Sequence, residues 1–146
     1  MTSDLRYLLD VNVLIALSWP QHVHHERAHA WFSAQASDGW VTTPMTETGF
    51  VRISANSALI PWAVPVADAI AAIGAMRATP GHGFLADDSS LADPAIDTSR
   101  MVTPKQVTDV HLLNLAARSG TVLATLDVAI PSYLEAGERR HVYLLP

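Results

Sequence analysis

Four acidic residues stand where their carboxylates could do chemistry together. Asp10 ends the apolar run YLLD, and Asp127 ends the apolar run TVLATLD. Glu47 follows the strand-like GWVTT, and Asp109 follows the helix-start pattern TPKQ. Four carboxylates held together without counter-ions would repel one another, and some of them would be forced to protonate. A bound divalent cation is the simplest way to offset this negative charge. Ligands that are all oxygen favour Mg²⁺ or Mn²⁺ over zinc.

A second pattern with chemical potential lies in HHERAHAW, residues 24–31. His25, Glu26 and His29 match the H-E-x-x-H spacing of zinc metalloproteases, in which two histidines share a helical face and bind zinc while the glutamate activates water. Such a protease needs a third protein ligand and usually an upstream sheet that aligns the substrate. Only 24 residues precede His25, and the first strand and helix already use them. We therefore expect His25 and His29 to be ordinary helix residues, with Ala28, Trp31 and Phe32 packed inward.

The acids can meet only if strands and helices alternate, and the sequence predicts this alternation. Strands are expected in YLLDV, GWVTT, TVLATLD and HVYLL, and helices in NVLIALSW, HERAHAWFSAQAS, PMTETGFVRISANSA and VADAIAAIGAMRAT. A further helix over roughly 104–119 has a capping box with proline at its first position, and Gly120 lies beyond its end. The polar segment 83–100 is expected to be mostly a strand end and loop.

This order of elements predicts a single three-layer α/β domain over residues 1–146, with a central, mainly parallel sheet. Ligands of open parallel sheets bind beyond the carboxyl ends of the strands. Asp10, Asp127 and Glu47 should reach this edge directly from strand ends or from the helix that follows. Asp109 should join them, because it lies on the apolar side of its helix. We therefore expect all four carboxylates to converge on one rim.

Composition limits the alternatives. The chain has 146 residues, of which 49% are hydrophobic and 16% charged, as suits one domain with a core. The absence of cysteine excludes disulfides and Cys-based zinc sites and is compatible with the cytoplasm. The formal charge of −5 argues against a nonspecific coat on nucleic acid. Asp4, Asp10 and Asn12 interrupt any secretory signal, and VPVADAIAAIGAM is too short to span a bilayer. We expect a cytoplasmic protein without membrane association.

The segments LLDVNVLIAL, TETGFVR, TDVHLLNLA and VLATLD resemble, in order and spacing, the acidic motifs of PIN-domain ribonucleases, most closely the VapC toxins of bacterial type II toxin–antitoxin systems. The resemblance covers nearly the whole chain. It implies a PIN-like endoribonuclease whose acidic quartet, here Asp10, Glu47, Asp109 and Asp127, binds Mg²⁺ or Mn²⁺. It also implies a homodimer that a cognate VapB-type antitoxin holds inactive. We expect Asp10 and Asp109 to be the direct metal ligands.

Further residues are expected to support this chemistry. Asn12, two positions after the first acid, and Thr125, two before the last, match polar positions of the family. Arg52, with Arg100 and Lys105, is expected to contact phosphates of the RNA substrate, which contributes affinity without sequence choice. The four tryptophans, at positions 19, 31, 40 and 62, are expected in the core or at a dimer interface, with stacking on RNA bases as the lesser alternative.

Two other interpretations stay open. A haloacid-dehalogenase-like phosphatase would also carry an acid at the end of its first strand, but it needs an aspartate where Asn12 stands. It also needs a lysine before its late acid pair, whereas Lys105 follows Asp87 and Asp88. A catalytically silent PIN-like RNA-binding module typically loses part of the quartet, and this chain keeps all four acids.

Overall fold

The computed structural model describes residues 6–146, and its elements follow the predicted alternation. The strands within this range are β1 Tyr7–Leu9, β2 Trp40–Thr42, β3 His82–Phe84, β4 Val122–Thr125 and β5 Val142–Leu144. The α-helices are α1 Val11–Ser18, α2 His25–Trp31, α3 Pro44–Ser54, α4 Val66–Arg77 and α5 Val107–Ser119. A π-helical segment, Phe32–Ala36, continues α2. Short 3-10 segments are Pro104–Gln106, Ile130–Tyr133 and Ala136–His141.

The five strands form one parallel sheet in the order β3-β2-β1-β4-β5. The chain builds outward from β1 to β2 and β3, and then crosses to β4 on the other side of β1. The direction of winding therefore reverses between β1 and β4, and a crevice opens at this switch point beyond the carboxyl ends of the strands. Leu9 pairs with Ala124 in the register, so the residues that follow them, Asp10 and Thr125, lie side by side.

Helices cover both faces of the sheet, as the predicted three layers require. Leu8 and Leu9 are both fully buried, because successive strand residues point to opposite faces. Leu9 belongs to the core formed with α1, α2, α3 and α4, whereas Leu8 belongs to the core formed with α5. The continuous apolar runs in the central strands follow from this two-sided burial. Trp31 and Trp40 lie in the first of these cores, as expected.

Helix ends account for most of the predicted boundaries. Thr43 caps α3 in a capping box with Thr46, and Pro44 occupies the first helical position. The predicted capping box of Thr103 is also present, but it caps the 3-10 turn Pro104–Gln106, so α5 itself begins only at Val107. Gly120 ends α5 in the left-handed conformation, with a φ of 71°. The longest α-helix in the described range has 13 residues, and none there is long and apolar enough to cross a membrane.

The histidines of the H-E-x-x-H pattern stabilise the end of α1. His25 Nδ1 donates to the Ala16 carbonyl at 2.7 Å, and His29 Nε2 donates to the Leu17 carbonyl at 2.8 Å. These carbonyls lie in the last turn of a helix of eight residues and have no partner within the helix itself. His25 and His29 thus lie in α2, as the sequence predicts, and their role as helix residues rather than metal ligands stays a prediction.

Replacing both His25 and His29 by Ala should destabilise the protein. Two hydrogen bonds to α1 are lost, so the free energy of unfolding should fall by about 1–3 kcal/mol. Urea denaturation measures this change, and Val23→Ala, at a neighbouring side chain that is 85% exposed, should have almost no effect. Zinc that binds the parent protein at one equivalent and fails to bind the double variant would show that these histidines are metal ligands instead.

Candidate active site

Asp10 is the buried acid of the site. It caps the start of α1, where its Oδ1 accepts a hydrogen bond from the Val11 backbone N–H at 2.8 Å. Its Oδ2 accepts the Thr125 hydroxyl proton, also at 2.8 Å. The residue is 5% exposed. Burial raises the pKa of Asp10, while the hydrogen bonds from Thr125 and Val11 act in the opposite direction.

Asn12 and Thr125 hold this carboxylate in place. Thr125 uses all three capacities of its hydroxyl, because it donates to Asp10 and accepts from the Asn12 amide and the Asp127 backbone N–H, each at 3.1 Å. The Asn12 Oδ1 accepts from the Leu126 backbone N–H at 3.1 Å. Both polar residues picked out in the sequence therefore lie beside Asp10 and connect it to the end of β4.

Asp109 and Asp127 complete a cluster of three aspartates. Asp109 lies in the first turn of α5, and Asp127 lies two residues beyond β4. Burial, followed by the negative charges of Asp10 and Asp127, raises the pKa of Asp109 to about 6. All three aspartates and Asn12 line one pocket of about 420 Å³. The pocket lies at the switch point between β1 and β4, where the fold was expected to bind a ligand.

The donor set of this pocket fits a hard divalent cation. Three carboxylates contribute only oxygen atoms, and the described residues that line the pocket include no Lys or Arg. Within residues 6–146, no three His, Asp or Glu side chains are arranged to enclose a metal ion by themselves. Mg²⁺ does not require such a cage, because it retains several waters and is usually bound through one or two carboxylates and substrate phosphates. The raised pKa of Asp109 indicates negative charge that a cation would offset.

Glu47 does not lie with the three aspartates. Its Oε2 accepts the Thr42 hydroxyl proton at 2.6 Å, and both of its oxygens accept from Arg77 Nη1 at 3.1 and 3.2 Å. The Thr42 oxygen in turn accepts from His82 Nε2 at 2.7 Å. Glu47 and Arg52 line a different pocket, between α3 and α4. The expected convergence on one rim is therefore observed for three acids, and the catalytic role of Glu47 stays a prediction.

Helix geometry explains this separation. Gly49 is the α3 residue that packs closely against α1, since a Cβ at this position would lie 2.8 Å from Val11 Cγ2. Val11 lines the aspartate pocket. Glu47 precedes Gly49 by two residues and is thus rotated about 200° around the helix axis. It faces Arg77 in the last turn of α4, thirty residues away in the sequence, and no local pattern reveals that pairing.

The three basic residues expected to contact RNA all lie on the surface, and one of them forms an ion pair. Arg52 is exposed in the last turn of α3, and Lys105 is exposed in the 3-10 turn before α5. Arg100 forms a surface ion pair with Glu135 at 3.0 Å. Contact with RNA by Arg52 stays a prediction.

Sequence reasoning missed His22 and Tyr133 at the site, and it placed Trp62 there only as the lesser alternative. His22 and Trp62 line the aspartate pocket. Tyr133 lies near it, since burial and then the charges of Asp127 and Asp109 raise the pKa of its hydroxyl. Their positions in the sequence carry no signal beyond the presence of aromatic side chains in segments that follow α1, α3 and β4.

A three-layer domain with a parallel sheet, and with aspartates grouped beyond the ends of its two neighbouring central strands, belongs to the class of PIN-like α/β domains. No protein-family model matches the chain. The chain is 48% identical to Ribonuclease VapC38 of Mycobacterium tuberculosis over 94% of its own length and 96% of that protein. It is 48% identical to Ribonuclease VapC39 of the same species, over 89% of its own length and 94% of that protein. It is 42% identical to Ribonuclease VapC44 of that species, over 86% of its own length and 89% of that protein. The chain therefore belongs to the VapC family of PIN-domain ribonucleases, which decides against the phosphatase interpretation.

The raised pKa of Asp109 predicts a pH-dependent stability in metal-free protein. Its protonated form stabilises the fold fully below about pH 4, and this contribution is lost as the pH rises through about 6. Asp109→Asn lacks the charge at every pH. Its stability relative to the parent should therefore grow between pH 4 and pH 7, by about 1–2 kcal/mol once solvent screening of this partly exposed group is allowed for.

Urea denaturation in EDTA across this pH range measures the difference. Asp93→Asn, at an exposed acid in the loop before α5, is the matched control and should show no such trend. A difference between Asp109→Asn and the parent that is constant with pH would contradict the raised pKa of Asp109.

Proposed function

We propose that this protein is a metal-dependent endoribonuclease and acts as the toxin of a type II toxin–antitoxin system. Membership in the VapC ribonuclease family supports the reaction class. The observation that carries the proposal is the grouping of Asp10, Asp109 and Asp127 in one pocket at the switch point of the sheet. The reaction is hydrolysis of an RNA phosphodiester bond by water at this pocket.

The three aspartates take different roles in this proposal. A bound Mg²⁺ or Mn²⁺ supplies the positive charge that stabilises the transition state of phosphodiester hydrolysis. Asp10 and Asp109 would hold this cation. Asp10 is fixed by Thr125 and the start of α1, whereas Asp109, with a pKa of about 6, would have to be deprotonated to serve as a ligand. Asp127 lies beside them and orients the attacking water through its carboxylate oxygens.

Glu47 is the fourth acid of the proposed quartet. Because Arg77 and Thr42 already hold its carboxylate, we expect it to act less directly than the aspartates. Reaching the aspartate pocket would require Glu47 to give up this ion pair.

Purified protein should cleave RNA with Mg²⁺ or Mn²⁺ and not in EDTA. Asp10→Asn and Asp109→Asn should each reduce cleavage by at least about 100-fold, because each removes a ligand from a shared cation. The measurement is single-turnover cleavage of a dye-labelled RNA, with thermal unfolding to verify that each variant is folded.

Glu47→Gln is the informative comparison, and Asp93→Asn is the surface control. We expect Glu47→Gln to reduce cleavage by about tenfold or less and Asp93→Asn to leave it unchanged. A loss for Glu47→Gln as large as for the aspartates would place Glu47 in the reaction centre. Cleavage that persists in EDTA, or in both aspartate variants, would contradict the proposed metal-dependent mechanism. RNA binding without any cleavage would favour the catalytically silent RNA-binding module.

The surface of the protein supports an assembly with itself and with an antitoxin. Nine large apolar side chains in the described range are 37–85% exposed: Val23, Leu59, Val66, Ile70, Phe84, Val102, Val107, Val128 and Leu144. We infer that some of these side chains are covered in a symmetric dimer and by an amphipathic antitoxin helix. An acidic pocket also invites an Arg side chain, which pairs with carboxylates in a bidentate manner and would displace the cation. The proposed partner is a VapB-type antitoxin.

Co-expression with the neighbouring open reading frame should yield a stable complex. The antitoxin should suppress RNA cleavage and weaken Mn²⁺ binding, because its basic side chain competes for the aspartates. Pull-down, cleavage assays and calorimetric Mn²⁺ titration measure these effects, and light scattering should give a homodimer for the isolated chain. The toxin–antitoxin assignment would be wrong if the chain is a monomer at every concentration and no neighbouring protein blocks cleavage. The proposed nuclease activity would be unaffected by that result.

A further inference from the structure

The aspartate pocket extends well beyond the three acids. It follows α1 from Asp10 and Asn12 at the start of the helix, past Ile15, to His22 beyond the end of the helix. Residues 59–62, which follow α3, form part of its remaining wall, with Trp62 as the largest side chain. The pocket therefore has an acidic half at the strand ends and an apolar half along α1. Its volume of about 420 Å³ exceeds what a hydrated cation alone would use.

Trp62 and His22 give the apolar half its shape. Their ring centroids lie 6.2 Å apart, with an angle of 81° between the ring planes. The His24 backbone N–H donates to His22 Nδ1 at 3.0 Å, so in the neutral ring the proton is on Nε2. Burial, and then the charges of His24 and His25, lower the pKa of His22 and favour this neutral form. The pocket thus combines an indole surface with a neutral imidazole that carries a hydrogen-bond donor.

This combination matches the chemistry of a nucleobase. Bases stack on aromatic side chains and use hydrogen-bond donors and acceptors at their edges, without charge. The scissile phosphate would bind next to the cation in the acidic half of the pocket. The base of the adjoining nucleotide is separated from that phosphate by only one sugar, so it can reach the apolar half. The described residues of the apolar half include no Lys, Arg, Asp or Glu that would favour a charged group there.

We propose that the apolar half of this pocket binds one unpaired nucleobase of the RNA substrate, next to the phosphate that is cleaved, with Trp62 and His22 as the residues that determine which base is accepted. The inference rests on the proposed nuclease function and adds a recognition site to it. Trp62 provides the stacking surface and His22 reads the edge of the base.

Trp62 can be replaced without leaving a protein acceptor unpaired. Its indole N–H is buried and has no hydrogen-bond partner among residues 6–146. Trp62→Leu therefore removes the aromatic surface while keeping an apolar side chain, and Trp62→Phe restores a smaller aromatic surface. Gln35→Ala is the control, because Gln35 is an exposed residue of the π-helical segment and lines neither the aspartate pocket nor the pocket of Glu47.

Binding of short single-stranded RNA, measured by fluorescence anisotropy with Ca²⁺ in place of Mg²⁺, tests the proposal separately from cleavage. The probe is an RNA of about eight nucleotides taken around a site that the parent protein cuts, with an abasic nucleotide placed at each position in turn. The parent should lose about tenfold in affinity when the abasic nucleotide adjoins the cut. Trp62→Leu should lose about tenfold in affinity for intact RNA and show no further loss on that abasic RNA. Trp62→Phe and Gln35→Ala should bind both RNAs nearly as the parent does.

His22→Gln adds a second readout, since it should alter which base is preferred beside the cut without changing the binding of abasic RNA. A parent protein that binds abasic and intact RNA equally would overturn the proposal, as would Trp62→Leu weakening both RNAs to the same extent. Loss of antitoxin binding in Trp62→Leu with an unchanged response to abasic RNA would assign the pocket to a protein partner and also overturn it. Base-dependent binding in a protein that cleaves no RNA would instead support this subsite and contradict the proposed nuclease function.

Discussion

The hydrogen bond from the Thr125 hydroxyl to Asp10 joins the ends of the two neighbouring central strands, and the geometry of the site depends on it. A carboxylate as buried as Asp10 is unfavourable unless donors satisfy its oxygens. Thr125 is itself fully buried and also accepts hydrogen bonds from Asn12 and from the Asp127 backbone. The Thr125 hydroxyl therefore orients both the Asp10 carboxylate and the turn that carries Asp127. The contact is possible because the parallel register pairs Leu9 with Ala124, directly before the two residues.

This arrangement places negative charge where the fold alone does not neutralise it. The pKa of Asp109 rises to about 6 because α5 brings it into a partly buried position near Asp10 and Asp127. Such mutual repulsion opposes folding, and the two hydrophobic cores on either side of the sheet must offset it. Perturbed carboxyl groups in a pocket are characteristic of functional sites, since the same repulsion that destabilises the free protein favours binding of a cation.

The network around Glu47 has a different character. Thr42 at the end of β2 and Arg77 at the end of α4 hold the Glu47 carboxylate, and the Arg77 guanidinium also lies 4.6 Å from the centre of the Phe84 ring in β3. These contacts tie α3 to the outer part of the sheet. Gly49 allows α3 to approach Val11 of α1 closely, while Glu47 lines a different pocket from the aspartates. A helix residue that follows a strand therefore need not line the crevice at the end of that strand.

The sequence by itself determined the order of strands and helices, the parallel three-layer architecture and the acids at Asp10, Asp109 and Asp127, because apolar periodicity, caps and strand-end positions are local properties of the chain. Asn12 and Thr125, each two residues from an acid in the sequence, also lie beside Asp10 in the structure. Only the tertiary structure decided that Arg77 holds Glu47 and that His22 and Trp62 line the acidic pocket. Arg77 lies 30 positions from Glu47 in the sequence, and Trp62 lies 65 positions from Asp127. Their placement depends on how each helix is rotated against the sheet. That rotation is set by the packing of side chains in three dimensions, which local sequence patterns do not encode.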